Sequence, residues 1–122
     1  MLENFLADLK ANLTASPLVK DIEIDDEFIT SVSGFLDCAV ELIDGSTLYV
    51  TEYFTISGEK IKRDKYSYHL QEKEEFIIRW DNAPHHKELS TFPYHVHDKD
   101  GVHESKEMTM DEILDEISEK VV

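Results

Sequence analysis

The sequence has a single cysteine, Cys38. A lone thiol excludes an intramolecular disulfide and a cysteine-based zinc cluster. Basic residues are also scarce: 12 Lys and Arg stand against 27 Asp and Glu, a formal net charge of −15. That shortage argues against generic duplex binding, which needs clustered cations to displace counterions from phosphates, and against an anionic membrane surface. No apolar run approaches the roughly 18 residues of a membrane span. The start Met1-Leu2-Glu3-Asn4-Phe5 has neither the basic region nor the apolar stretch of a secretory signal. The expected location is cytoplasmic, with no membrane partner. No glycine-rich loop follows a strand pattern, so neither the dinucleotide nor the P-loop fingerprint applies.

What is present suffices for a folded core. The 122 residues are 41% hydrophobic and 10% aromatic, the size of one domain (1–122) and too apolar for disorder. Leu2, Phe5, Leu6, Leu9 and Leu13 recur at spacings of three and four, which predicts a helix over 2–13 ended by Ser16-Pro17. Alternation from Val19 through Ile22 and Ile24 then meets Asp25-Asp26-Glu27, which reads as a solvated turn. Asp44-Gly45-Ser46 between Phe35–Ile43 and Thr47–Ile56 signals a hairpin, because glycine supplies the positive φ of a tight turn. Cys38 lies in the apolar run Phe35–Val40 and reads as a buried structural thiol.

Gly58 to Lys65 reads as a polar connection, and Tyr66–Leu70 with Phe76–Asp81 as a second hairpin across Glu72-Lys73-Glu74-Glu75. His95–Asp98 reads as a last short strand. Thr109 followed by Glu112 is a capping box, opening a helix over 109–121 whose stripe is Met110, Ile113, Leu114, Ile117 and Val121. The sum is an α+β fold: an antiparallel meander of four to six strands over about 18–100, with N- and C-terminal helices on one face.

Two features carry chemistry. Glu52 interrupts the apolar alternation of Leu48, Val50, Phe54 and Ile56. A carboxylate aimed at a core is costly unless paired, so Glu52 is either functional or an edge residue meeting Arg or Lys. The second feature is histidine: five of the six fall between 85 and 103, namely His85, His86, His95, His97 and His103. On an extended chain His95 and His97 share a face with Cα atoms about 6.6 Å apart. His85 and His86 diverge, so one of them joins the same site. Asp81 is placed to orient a ring.

Three readings stay open on these residues. Histidines can act as acid and base on a phosphodiester, with Arg79 on the phosphate. His95, His97 and one of His85 or His86, completed by Asp81 or Glu52, can bind a transition metal such as zinc, with His95, His97, His86 and Asp81 the set to expect. Or His and Asn cap loops that prolines rigidify. Beyond that possible metal, no cofactor is predicted. Tyr66, Tyr68 and Leu70 share one face and read as core, although a tyrosine near the histidines could position a phosphate or stack an unpaired base.

Taken together, Asp44-Gly45-Ser46, Glu52, Tyr66-Ser67-Tyr68, Arg79-Trp80-Asp81-Asn82-Ala83-Pro84-His85-His86 and Phe92-Pro93-Tyr94-His95-Val96-His97 resemble the TumE-type toxin family over about positions 35 to 118. The resemblance implies the toxin half of a prokaryotic toxin–antitoxin pair, with a cognate antitoxin as partner and RNA as the expected target. It carries over Arg79, Asp81, Asn82, His85, His86, His95 and His97, with Glu52 and Tyr68 as further positions. It leaves open a non-enzymatic module that docks a protein partner, and a homo-oligomer. Charge is uneven along the chain. Residues 1–50 hold 2 basic and 10 acidic side chains, residues 51–80 hold 6 and 6, and residues 81–122 hold 4 and 11. The neutral middle, with Lys60, Lys62, Arg63, Lys65 and Arg79, confines where RNA could sit, and the acidic ends suit a basic antitoxin surface or solubility.

Overall fold

The structure, a computed structural model, describes residues 1–121, and of Val121 the backbone alone, so the last member of the expected helix stripe lies outside the described side chains. Helix α1 (Leu2–Ala15) leads into seven strands and closes with helix α2 (Met110–Val121). The strands are β1 (Val19–Ile29), β2 (Ser33–Leu42), β3 (Thr47–Ser57), β4 (Lys60–Glu72), β5 (Glu75–Asp81), β6 (His95–Asp98) and β7 (Gly101–Glu104). They form one antiparallel sheet in chain order. The α+β class is as expected, while the count is seven rather than four to six.

Alternation decides which face each strand buries. Leu36, Cys38, Val40 and Leu42 of β2, Leu48, Val50 and Phe54 of β3, Tyr66, Tyr68 and Leu70 of β4, and Trp80 of β5 point to one face. There they meet Leu2, Leu6, Leu9 and Leu13 of α1 and Met110, Ile113, Leu114 and Ile117 of α2 in a single core. Both helices thus cover the same face and leave the other open. Cys38 is buried as expected, and burial first, then the charges of Asp37, Asp25 and Glu27, push its thiol up to about 12. It is no nucleophile. The ring of Phe54 lies so close over Gly34 that a Cβ there would stand 2.3 Å from Phe54 Cε2, so β2 needs glycine at that crossing. The capping box is reciprocal: Glu112 N–H donates to Thr109 Oγ1 at 3.3 Å, and Thr109 N–H to Glu112 Oε1 at 3.1 Å.

His95–Asp98 is not the last strand, since β7 follows it and carries the sheet to Glu104 rather than about residue 100. Two further expectations fail at bulges. The acidic knot is not a turn but part of β1, with Asp25 the extra residue between the pairs Ile24↔Cys38 and Asp26↔Asp37. β1 is an edge strand, where charge and a bulge discourage pairing with other chains. Glu27 there meets Lys10 of α1 at 3.0 Å. Gly58–Lys65 is likewise no connection. The β3–β4 turn is tight, with Gly58 at φ 66°, and Lys60–Lys65 continue β4. Asp64 is the extra residue there, between Tyr53↔Lys65 and Phe54↔Arg63. A bulge of one residue shifts the side-chain phase, so Lys65 faces the open side while Arg63, two positions earlier, faces the core.

Candidate functional site

The register carries the site across the sheet. Asp37, Thr51, Ser67, Asp81, His95 and Glu104 are successive partners in one cross-strand row, and Tyr49, His69, Arg79 and His97 form the next. Both rows lie on the open face, because the intervening Tyr68, Trp80 and Val96 belong to the core side. Antiparallel pairing therefore brings Asp81 beside His95 and Arg79 beside His97. The loop joining β5 to β6 folds back over these pairs and adds His86.

The three imidazoles meet edge to face. Ring centroids are 4.8 Å apart for His95–His97, 5.3 Å for His86–His95 and 5.6 Å for His86–His97. Asp81 anchors the group. Its Oδ1 lies 2.8 Å from His95 Nε2 and accepts from Ala83 N–H at 3.0 Å. Its Oδ2 accepts from Arg79 Nε at 2.9 Å and lies 3.7 Å from His97 Nε2. His95 is 2% exposed, and its Nδ1 is 2.8 Å from the Pro93 carbonyl. A carbonyl only accepts, so Nδ1 donates, and both ring nitrogens of His95 face acceptors. His97 is held below its ordinary pKa, by burial first and then by the Arg79 charge, with His95 and His86 adding and Asp81 opposing. Its imidazole is kept neutral near neutral pH.

A groove of about 370 Å³ adjoins the imidazoles, lined by Thr51, Lys65, Ser67, Arg79, Asp81 and His85 among others. Arg79 spends only Nε on Asp81 among the described residues, and its side chain is 40% exposed. The terminal guanidinium nitrogens are therefore free to bind an anion. Phe28, Phe35 and Tyr53 cluster on the same face, with Phe28 stacked on Phe35 at 5.5 Å. Tyr49, His69 and Phe76 make a second group.

Of the residues singled out from sequence, Arg79, Asp81, His86, His95 and His97 come together, and His85 lines the adjoining groove. Asn82 braces the loop instead: its Oδ1 accepts from Tyr66 N–H at 2.9 Å and its Nδ2 donates to the Asp64 carbonyl at 3.2 Å. Glu52 and Tyr68 lie on the opposite, core face. Tyr68 donates to Glu52 Oε1 at 2.6 Å, and Arg63 Nη2 reaches the same oxygen at 2.5 Å. Arg63 Nη1 donates to the Met108 carbonyl at 2.8 Å, and its guanidinium lies over the Tyr66 ring at 4.4 Å. Burial alone would lower the pKa of Arg63, but the hydrogen bonds and charge of Glu52 outweigh it and raise it. Burial, then the Glu52 charge, raises Tyr68, and burial pushes Tyr66 up to about 12. Glu52 does meet an arginine, yet mid-sheet rather than at an edge. This network ties β3 and β4 to the entry of α2, on the face of the sheet away from the histidines.

Of the expected cationic patch, Arg63 is thus withdrawn into the core and Lys62 pairs with Asp64 at 3.5 Å. Lys65 of that patch does line the groove. Thr51, Ser67 and Glu88 carry no such signal in the sequence. The first two follow from hairpin register once β4 is extended back to Lys60. Glu88, whose Oε1 is 3.3 Å from His86 Nδ1, has no periodic signal. His103 pairs with Asp98 at 2.9 Å, outside the cluster.

A sheet sealed by helices on one side and carrying imidazoles, a guanidinium and exposed aromatics on the other defines a small α+β protein with an anion-ready open face. Comparison with known families matches residues 7–121 to the model described as Toxin TumE, so the chain belongs to the TumE toxin family. That match reaches further toward the N-terminus than the diagnostic motifs. It places the chain among toxins of toxin–antitoxin systems and implies an antitoxin as partner. No curated protein and no solved structure matches the chain. No described helix is long and apolar enough to cross a membrane.

Proposed function

We propose that this toxin acts on single-stranded RNA by cleaving a phosphodiester in the groove beside Arg79. The observation that supports the reading is that Arg79, paired across the strands with His97, and through it close to His86, lines a groove together with Lys65 and His85. Arg79 binds the phosphate through its free terminal nitrogens, a bidentate geometry suited to two oxygens. One of His97 and His86 removes the 2′-hydroxyl proton as the 2′-oxygen attacks phosphorus. The other protonates the departing 5′-oxygen as the P–O5′ bond breaks, leaving a 2′,3′-cyclic phosphate and a 5′-hydroxyl. Buried His95, fixed between Pro93 and Asp81, positions both. Unpaired bases stack on Tyr49, Phe76 and the Phe28–Phe35–Tyr53 group, a role for which the buried Tyr66 and Tyr68 are unsuited.

Expression should arrest growth, and co-expression of the neighbouring antitoxin should restore it. Purified wild-type chain should cleave labelled RNA in the presence of EDTA, whereas His97→Ala should not. Good soluble expression with normal growth and intact RNA would sink the reading.

A further inference from the structure

We infer that His86, His95 and His97 form a binding site for one divalent transition-metal ion of the zinc type, and that its occupancy withdraws these imidazoles from proton transfer. The binding half stands on geometry alone; the gating half rests on the RNA-cleaving function proposed above.

One ligand atom from each of the three residues lies within 4.8 Å of the other two. The rings cross at 76°, 65° and 71° rather than stacking. Three imidazoles packed for apolar contact alone would gain nothing from bringing their nitrogens together. The outward nitrogens are also held. His95 Nδ1 donates to the Pro93 carbonyl at 2.8 Å, and His86 Nδ1 sits 3.3 Å from Glu88 Oε1. A carbonyl or carboxylate on one ring nitrogen is the support that fixes ring orientation in metal-binding histidines; the other nitrogen of His95, Nε2, lies 2.8 Å from Asp81 Oδ1, and an ion would replace that contact.

The backbone brings the third ring to the sheet. His86 has φ 61°, in the left-handed region that few residues with a Cβ adopt. That turn returns its ring over β6, onto His95 and His97. Asp81, 2.8 Å from His95 Nε2 and 3.7 Å from His97 Nε2 and itself held by Ala83 N–H and Arg79, supplies charge compensation beside the ion. An all-imidazole donor set suits zinc, copper, nickel or cobalt and discriminates against magnesium and calcium, which prefer oxygen. Three protein ligands leave a fourth position. An imidazole nitrogen that holds the ion cannot also exchange a proton.

The test uses the untagged full chain, stripped with chelator and titrated with Co²⁺ and then Zn²⁺. Wild type should develop the visible bands of cobalt bound to nitrogen at one ion per chain, and Zn²⁺ should abolish them by displacement. His86→Asn keeps a residue tolerant of positive φ and should lose the bands. Glu88→Ala should weaken binding by roughly 10-fold, and His103→Ala should match wild type. No bands at saturating Co²⁺, or bands that persist in His86→Asn, overturn the site.

RNA cleavage separates this from the function itself. Cleavage in EDTA that falls on adding one equivalent of Zn²⁺ supports gating, and cleavage indifferent to or dependent on Zn²⁺ overturns it. Cobalt binding without any cleavage in EDTA leaves the site standing and removes the acid–base function. Cleavage in EDTA without cobalt binding does the reverse.

Discussion

Glu52–Arg63 and Asp81–Arg79 are the same chemical pair set on opposite faces of one sheet. Under the helices, Arg63 commits Nε and Nη2 to Glu52, Nη1 to Met108 and its planar face to Tyr66. On the open side, Arg79 commits Nε alone and remains 40% exposed. A guanidinium with every nitrogen engaged is part of the architecture. One with its terminal nitrogens free, beside imidazoles and a groove, has binding capacity left over. The lesson is that charge pairing does not mark a site; unspent donors do.

The contrast can be broken by substituting each arginine in turn. Arg63→Met leaves the Glu52 carboxylate buried without its cation and should cost about 3–5 kcal/mol of stability. Urea unfolding measures this, and cleavage per folded molecule should stay at the wild-type level. A loss under about 1 kcal/mol would show that the core pair is not what ties α2 to the sheet. Arg79→Met should do the opposite. RNA cleavage should fall by roughly 10²-fold, on the order of 2.7 kcal/mol of transition-state stabilisation, with stability within about 1 kcal/mol of wild type. A variant that unfolds but keeps its specific activity would erase the distinction between the faces. The smallest effect sharpens the architectural side: Thr109→Ala removes the cap of α2 and should cost about 1 kcal/mol with no change in cleavage.

Much of the fold is legible where burial imposes a period. The α1 leucines, the alternation of β2 and β3, the Asp44-Gly45-Ser46 turn and the Thr109–Glu112 box all read directly from residue type and spacing. So does the oddity of Glu52, because its neighbours on both sides are apolar. The errors fall where alternation carries no hydrophobic contrast. In Lys60–Lys65 five of six residues are charged, so no face announces itself, and the Asp64 bulge would break the period in any case. Asp25-Asp26-Glu27 fails for the same two reasons. At the site, two-residue spacing reveals that His95 and His97 share a face. The arrival of His86 depends on a left-handed loop residue that no periodicity encodes. Glu52 and Tyr68, similar in chemistry to the site, are separated from it by strand parity, which becomes visible only when all the hairpins are put in register.

The Asp64 bulge has one more consequence, for chain length. Removing Asp64 would close Tyr53↔Lys65 and Phe54↔Arg63 into a regular ladder, and every side chain of β4 would keep the face it now has. Removing any neighbour inside the ladder instead would reverse the faces on one side of the cut. Asp64 is thus a point where β4 can shorten by one residue with Arg63 still in the core and Lys65 still on the groove. What the shorter chain would lose is the carbonyl that Asn82 holds and the carboxylate bound by Thr55 and paired with Lys62. A spare residue in a strand here serves as the mooring of the histidine loop, so length variation at this one position would retune the loop without recasting the sheet.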